Sequence, residues 1–153
     1  MTDIKNDYEF RPATIWDAER ISKLYKVEKK VNETEQELFF YLLVDRLKYP
    51  EKYLIYVIEK QGDIIGFFIE YLSMNEHRIN DLIGFCDGVY IDSEHRGGNL
   101  FPKAISIMTD WAKGKGCSRV QFLTDFDKRL IDIYKRLSFS PSQILFEKEL
   151  SND

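Results

Sequence analysis

The chain has 153 residues, 44% hydrophobic and 31% charged, a balance that suits one globular domain over residues 1–153 and excludes a disordered chain. Its formal net charge of −4 argues against nucleic acid as a partner, since a surface that coats phosphates needs many cations to displace counterions. Two cysteines and two histidines are too few for a disulfide framework or a zinc site at familiar spacing, so no metal is expected.

The opening MTDIKNDYEF has no basic stretch leading into an apolar run, and no later segment approaches the roughly 18 apolar residues of a membrane span. A reduced, cytoplasmic protein with no membrane partner is the expectation. Tyr8-Glu9-Phe10-Arg11-Pro12 alternates like an edge strand and stops at proline. Thr14 then offers a helix cap ahead of Ile15, Ala18, Ile21, Leu24 and Tyr25 at helical spacing. Thr34-Glu35-Gln36-Glu37 reads as a capping box before the apolar run 38–47, which Pro50 closes. Phe39, Phe40 and Tyr41 in that run are expected in the core.

Residues 54–59 and 64–72 are β-rich runs joined by Gln61-Gly62-Asp63, an antiparallel hairpin with glycine at its tip. Polar residues 73–81 read as a loop, and 83–91 as a strand with Gly84 and Gly88 inside it, where a bulge or a close backbone approach is expected. Leu100, Phe101, Ala104, Ile105, Ile107, Met108, Trp111 and Ala112 make one broad helical stripe, ended by Gly114 and Gly116. Residues 120–123 read as a short strand, 130–137 as a helix and 144–150 as a closing strand. An antiparallel meander passing into strand-helix-strand units argues an α/β (α+β) fold: a mixed, mostly antiparallel sheet with helices on both faces.

The informative segment is Val89-Tyr90-Ile91-Asp92-Ser93-Glu94-His95-Arg96-Gly97-Gly98-Asn99-Leu100-Phe101. A strand ends, a glycine pair follows and a long helix opens. The first amides of a helix have no intrahelical partner and carry the positive end of its dipole, and glycines let backbone approach a bulky anion. A phosphate or pyrophosphate is the natural occupant. Pro102 does not interfere, because in the first turn its missing donor breaks no helical bond. The plain alternative is a glycine turn with Arg96 solvated. GxxxxGK[ST] and GxGxxG are both absent, which disfavours nucleoside triphosphatase and Rossmann readings.

That segment resembles motif A of the GCN5-related N-acetyltransferase (GNAT) superfamily: a strand, then Arg/Gln-x-x-Gly-x-Gly/Ala, then a helix. Asp127-Lys128-Arg129-Leu130-Ile131-Asp132-Ile133-Tyr134-Lys135-Arg136-Leu137-Ser138-Phe139 is similar to the family's later Asn-x-x-Ala-x-x-x-Tyr-x-x-x-Gly-Phe motif, and 10–14 to its opening strand and turn. Asn99 and Phe101 stand where the family usually has glycine or alanine, Asp127 replaces Asn, and Ser138 replaces Gly. The resemblance implies a central sheet of about six to seven strands. It also implies an acyltransferase that moves an acetyl group from acetyl-CoA, as co-substrate, to a primary amine of a small molecule or protein within a ternary complex. A homodimer is compatible with it.

In that reading the amides of Arg96, Gly97, Gly98, Asn99, Leu100 and Phe101 hold the pyrophosphate. The edge of Val89, Tyr90 and Ile91 pairs with the pantetheine arm, and Asp127 and Tyr134 lie in the second cofactor motif. Tyr134 protonates the departing thiolate, a role that suits a phenol, or else is an amphipathic helix residue at the sheet edge. Glu70 and Asp87, acids in apolar strands, are candidate bases for the protonated amine; otherwise they face solvent or pair with a cation. His95 could serve as that base too, although before the anion loop it reads as a surface residue, and Cys86 and Cys117 lack the neighbouring histidine of a nucleophile. Residues 34–48 and 73–81 are expected to wall the acceptor site. The alternative function is a non-catalytic module of the same fold that binds CoA or a protein partner.

Overall fold

A computed structural model of the chain describes residues 7–74, 81–124 and 127–151. They form two compact units, Met1–Leu123 and Thr124–Asp153.

The first unit is built on one sheet in the order β1-β2-β3-β4-β5. The strands are β1 (Tyr8–Pro12), β2 (Tyr53–Lys60), β3 (Asp63–Met74), β4 (Leu82–Ile91) and β5 (Arg119–Phe122). Strands β1 to β4 pair antiparallel in succession, and β5 joins β4 in parallel. That parallel pair needs a crossover, which α3 (Leu100–Gly114) provides. Period-two alternation feeds two cores. Val57, Phe67 and Ile69 pack with Ile21, Leu24 and Leu43 of α1 (Ala18–Lys29) and α2 (Glu33–Arg46) on one face. Ile58, Phe68 and Cys86 pack with Leu100, Ala104 and Met108 of α3 on the other.

Local chemistry sets the boundaries. The β2–β3 hairpin closes at Lys60 opposite Asp63, and Gln61 and Gly62 both have positive φ (51° and 86°), as a mirror-image two-residue turn requires. Residues 15–17 form a 3₁₀ turn before α1, because the Asp17 carboxylate reaches back to the Thr14 amide at 2.7 Å. Arg11 grips the same carboxylate through both of its terminal nitrogens, at 2.8 and 3.0 Å, and so holds Asp17 below the usual carboxylate range. The capping box of α2 lies two residues earlier than the sequence pattern suggests. Asn32 accepts from the Glu35 amide at 2.9 Å while Glu35 accepts from the Asn32 amide at 3.1 Å, so Thr34 falls inside the first turn. Strand β3 continues through Ser73 and Met74 rather than ending in a loop, and the rest of the expected loop, 75–80, lies outside the described residues.

In the second unit α4 (Lys128–Arg136) is capped by Asp127, whose carboxylate accepts from the Arg129 amide at 2.9 Å. Residues 144–150 do not form the closing strand, and among the described residues the sheet has five strands rather than six to seven. A strand needs a ladder partner as well as β-prone side chains. Ile144, Leu145 and Phe146 are consecutive apolar residues that would require burial on both faces, yet they are 70%, 70% and 89% exposed.

Candidate functional site

The site is built around a divergence of two strands. Strand β5 pairs with β4 only from Ile83 opposite Arg119 to Cys86 opposite Phe122. Beyond that point β4 runs on through Val89, Tyr90 and Ile91, and among the described residues only β3 pairs with it there. The parting coincides with a bulge. Ile69 pairs with Gly88 and Glu70 with Cys86, so Asp87 is the extra residue, one position before the glycine that marks it in the sequence. Val89 is half-buried against the α3 core, Ile91 is buried, and the Tyr90 ring stacks on Phe67 at 4.6 Å on the opposite face.

At the end of β4, residues 93–95 make a 3₁₀ turn and the chain enters α3 through Arg96, Gly97, Gly98 and Asn99. The left-handed residue is Gly97 (φ 98°), whereas Asn99 sits at φ −86° as the N-cap with no side-chain cap bond. A β-carbon added at Gly97 or Gly98 would meet nothing within 4 Å, so the outer side of the loop is open to a ligand. Arg96 is laced down. Its Nε donates to the Ile91 carbonyl at 2.8 Å, its guanidinium pairs with Glu28 of α1, and its amide donates to the Ser93 carbonyl. This guanidinium braces the loop while its side chain stays about half exposed, at 51%. Leu100 is buried and Phe101 is half-buried against the α3 core, so both anchor the helix start. What the loop offers an anion is a glycine-lined helix entrance.

The two acids part company. Glu70 is fully buried under α3; neither carboxyl oxygen has a hydrogen-bond partner, and burial pushes its pKa up to about 8. Asp87 is exposed on the bulge, and its Oδ2 accepts from Arg46 at 3.0 Å. Arg46, at the end of α2, lies 5.2 Å from the Tyr53 ring and 5.9 Å from the Tyr71 ring. Burial, and then the nearby Asp87 carboxylate, hold the Tyr71 phenol above its ordinary value. Sequence reading missed Arg46, which looks like a solvated helix-end charge. The available signal was the need of Asp87, an acid within an apolar strand, for a counter-charge.

Tyr134 and Asp127 belong to the second unit, where the Tyr134 ring meets Phe139 edge-on at 5.7 Å. The His95 ring is engaged at Nδ1 by the Tyr8 hydroxyl at 2.9 Å. Cys86 and Cys117 are free thiols, and burial pushes both above the ordinary range, away from nucleophilic use. Phe39 stacks on Tyr25 at 3.9 Å and Phe40 packs on the same core, but Tyr41 is 61% exposed, contrary to expectation, because α2 turns it outward. Among the described residues no cluster of three or more His, Cys, Asp or Glu is arranged to hold a metal, and no helix is long and apolar enough to cross a membrane.

The sequence profile of the acetyltransferase (GNAT) family matches residues 16–139. A thialysine N-epsilon-acetyltransferase from Bos taurus is 30% identical over 81 residues, which is 52% of this chain and 46% of that protein. The chain thus spans about half the length of that relative. Among solved structures, glucosamine-6-phosphate N-acetyltransferase from Arabidopsis thaliana superposes with a TM-score of 0.76 at 21% identity, covering 94% of this chain and 99% of the other. An aminoglycoside N-acetyltransferase in complex with CoA gives 0.81 at 14% identity, covering 97% and 99%. At such identities these likenesses establish the fold.

Proposed function

The chain belongs to the acetyltransferase (GNAT) family, and from that premise we propose that it transfers an acetyl group from acetyl-CoA to a primary amine of a small molecule or protein by direct attack in a ternary complex. The family match crosses the boundary at Leu123, which supports reading both units as one acyltransferase domain. The observation that carries the proposal is the open Gly97-Gly98 entrance to α3, set at the end of the strand that has parted from β5.

In this reading the pyrophosphate of the co-substrate lies over Gly97 and Gly98, held by the amides of 97–101, with the Arg96 amide already committed to Ser93. The pantetheine arm runs along Val89, Tyr90 and Ile91, where a strand amide polarises the thioester carbonyl. Asp87, on the bulge at the head of that segment, accepts the proton of the incoming ammonium, directly or through water. Burial makes Glu70 unable to touch an acceptor, and this favours Asp87 as the base. The nitrogen attacks the carbonyl carbon, the carbon–sulfur bond breaks and the sulfur leaves as thiolate. Tyr134 takes the role of proton donor to that sulfur from its place in the later motif alone.

The test is thiol release with acetyl-CoA across a panel of primary amines, alongside a thermal shift with acetyl-CoA alone. Release with some acceptor and a stabilising shift are expected. Silence across the panel with no shift overturns the reading.

A further inference from the structure

Arg46 faces two ways. Besides holding Asp87, it lines a cleft of about 250 Å³ together with Leu47, Pro50, Tyr53, Tyr56 and Trp111. The cleft exists because β1 stops short. Pro12 is the last residue of β1, opposite Tyr56, so among the described residues the start of β2 lacks a ladder partner on that side, and the Ala13 amide reaches across to the Ile55 carbonyl at 2.8 Å. The walls are aromatic and aliphatic, and Arg46 is the one ionisable cation among them. Its side chain is 20% exposed, and its Nε is buried without a hydrogen-bond partner.

A largely desolvated guanidinium whose Nη1 is held by Asp87, at the edge of an apolar cleft, suits a planar oxyanion on an apolar stem that takes its two terminal nitrogens. Two oxygens can take two parallel N–H donors, and the stem fills the space that water holds poorly. A cavity of about 150 Å³ already admits a benzene ring, so this one has room for a ring and a short acid.

We propose that this cleft binds a small carboxylic acid with an aromatic or branched apolar stem, whose carboxylate takes the guanidinium of Arg46. Because the same guanidinium holds Asp87, the bound carboxylate and Asp87 compete for it. The occupant thereby frees the Asp87 side chain. That last consequence for acetyl transfer rests on the reading of Asp87 as the base; the binding itself does not.

Trp111 reports on the cleft, and the chain's other tryptophan, Trp16, is 91% exposed and can be replaced by Phe to leave Trp111 alone. In the Trp16→Phe protein, phenylacetate should change Trp111 emission saturably, and phenylacetamide, which lacks the charge, should bind at least about tenfold more weakly. Arg46→Met should weaken phenylacetate by about ten- to a hundredfold. Asp87→Asn should tighten it by several-fold, a gain that misfolding does not mimic. Phenylalanine separates the sources of the acid. Tighter binding than phenylacetate assigns the cleft to an amino acid whose ammonium meets Asp87, and weaker binding assigns it to a simple acid. Equal affinity for acid and amide, undiminished binding in Arg46→Met, no gain in Asp87→Asn, or no saturable change with any of the probes overturns the proposal. None of these readings uses acetyl-CoA, so they fail or succeed independently of the acetyl-transfer assay.

Discussion

Glu70 and Gly84 lie against one another beneath α3, and each explains the other. Gly84 leaves the space that the Glu70 carboxyl occupies, since a β-carbon there would run into a carboxyl oxygen. In return the carboxyl is sealed from water without a hydrogen-bond partner, which keeps it protonated up to about pH 8.

A pH dependence of stability follows. In the unfolded chain this group titrates near 4.5, and in the folded protein near 8. Its contribution is fully present below pH 4.5, where both states hold the proton. Between those values the unfolded state ionises while the folded state cannot, so stability falls by about 1.4 kcal/mol per pH unit and levels off above the folded value. Glu70→Gln removes the titration. Urea unfolding at pH 5.5 and 7.5 should show the variant gaining on the parent by about 2–3 kcal/mol across that interval. A constant difference between the two proteins would refute the assignment.

Gly84→Ala should cost about 1–3 kcal/mol by overpacking. The new β-carbon would stand 2.7 Å from the Ala112 β-carbon as well as against Glu70. The backbone has little room to yield, because β4 is hydrogen-bonded to β3 on one side and β5 on the other at this residue. Shortening the neighbour relieves part of the crowding. The double variant with Glu70→Ala should therefore be less destabilised than the two single changes added together, as read by urea midpoints.

The sequence made the first unit readable wherever period and punctuation agree. Strands β2 and β3, with glycine at the turn between them, and the apolar stripe of α3 were legible for that reason. The strand–glycine–helix junction at 91–100 was legible as a change of element, because a β-rich run, a glycine pair and a helical stripe follow one another directly. Pairings that depend on distant partners were not. Residues 144–150 have strand-like composition but no ladder, and nothing local distinguishes the two outcomes. The Arg46–Asp87 pair joins positions 41 residues apart, and the burial of Glu70 depends on the absence of a side chain at Gly84. Which of the two acids is buried and which is exposed was therefore set by packing that only the assembled sheet defines.

Ser138 carries the strain of a position that suits glycine. It closes α4 at φ 69°, donating to the Lys135 carbonyl at 3.1 Å, while Phe139 donates to the Tyr134 carbonyl at 2.9 Å. This is the Schellman pattern, whose left-handed residue is usually glycine. Ser138→Gly should strengthen the end of α4 by about 0.5–1 kcal/mol. Slower hydrogen exchange at the Ser138 and Phe139 amides would register it locally. Unchanged or faster exchange would count against that geometry.

Tyr134→Phe separates catalysis from mere binding. The ring keeps its edge contact with Phe139, so the helix end should survive, but the phenol proton is lost. If Tyr134 protonates the thiolate, kcat should fall by about a hundredfold while the thermal shift with acetyl-CoA persists. An unchanged kcat would remove Tyr134 from the mechanism, and a non-catalytic module would show no turnover in either protein.

The two acids should behave oppositely in turnover. Asp87 stands on the β4 bulge within reach of solvent, so Asp87→Asn should lower kcat/KM by about 10²–10⁴, the range of a lost general base. Glu70 touches no acceptor, and Glu70→Gln should leave kcat/KM within a fewfold of the parent. The defect in Asp87→Asn has its own signature. An amine that loses its proton to bulk solvent no longer needs the carboxylate, so raising the pH toward the amine's own pKa should return much of the rate to Asp87→Asn. The parent enzyme should gain far less over the same interval. Equal pH profiles for the two, or a large loss in Glu70→Gln with its fold intact, would move the base away from the bulge.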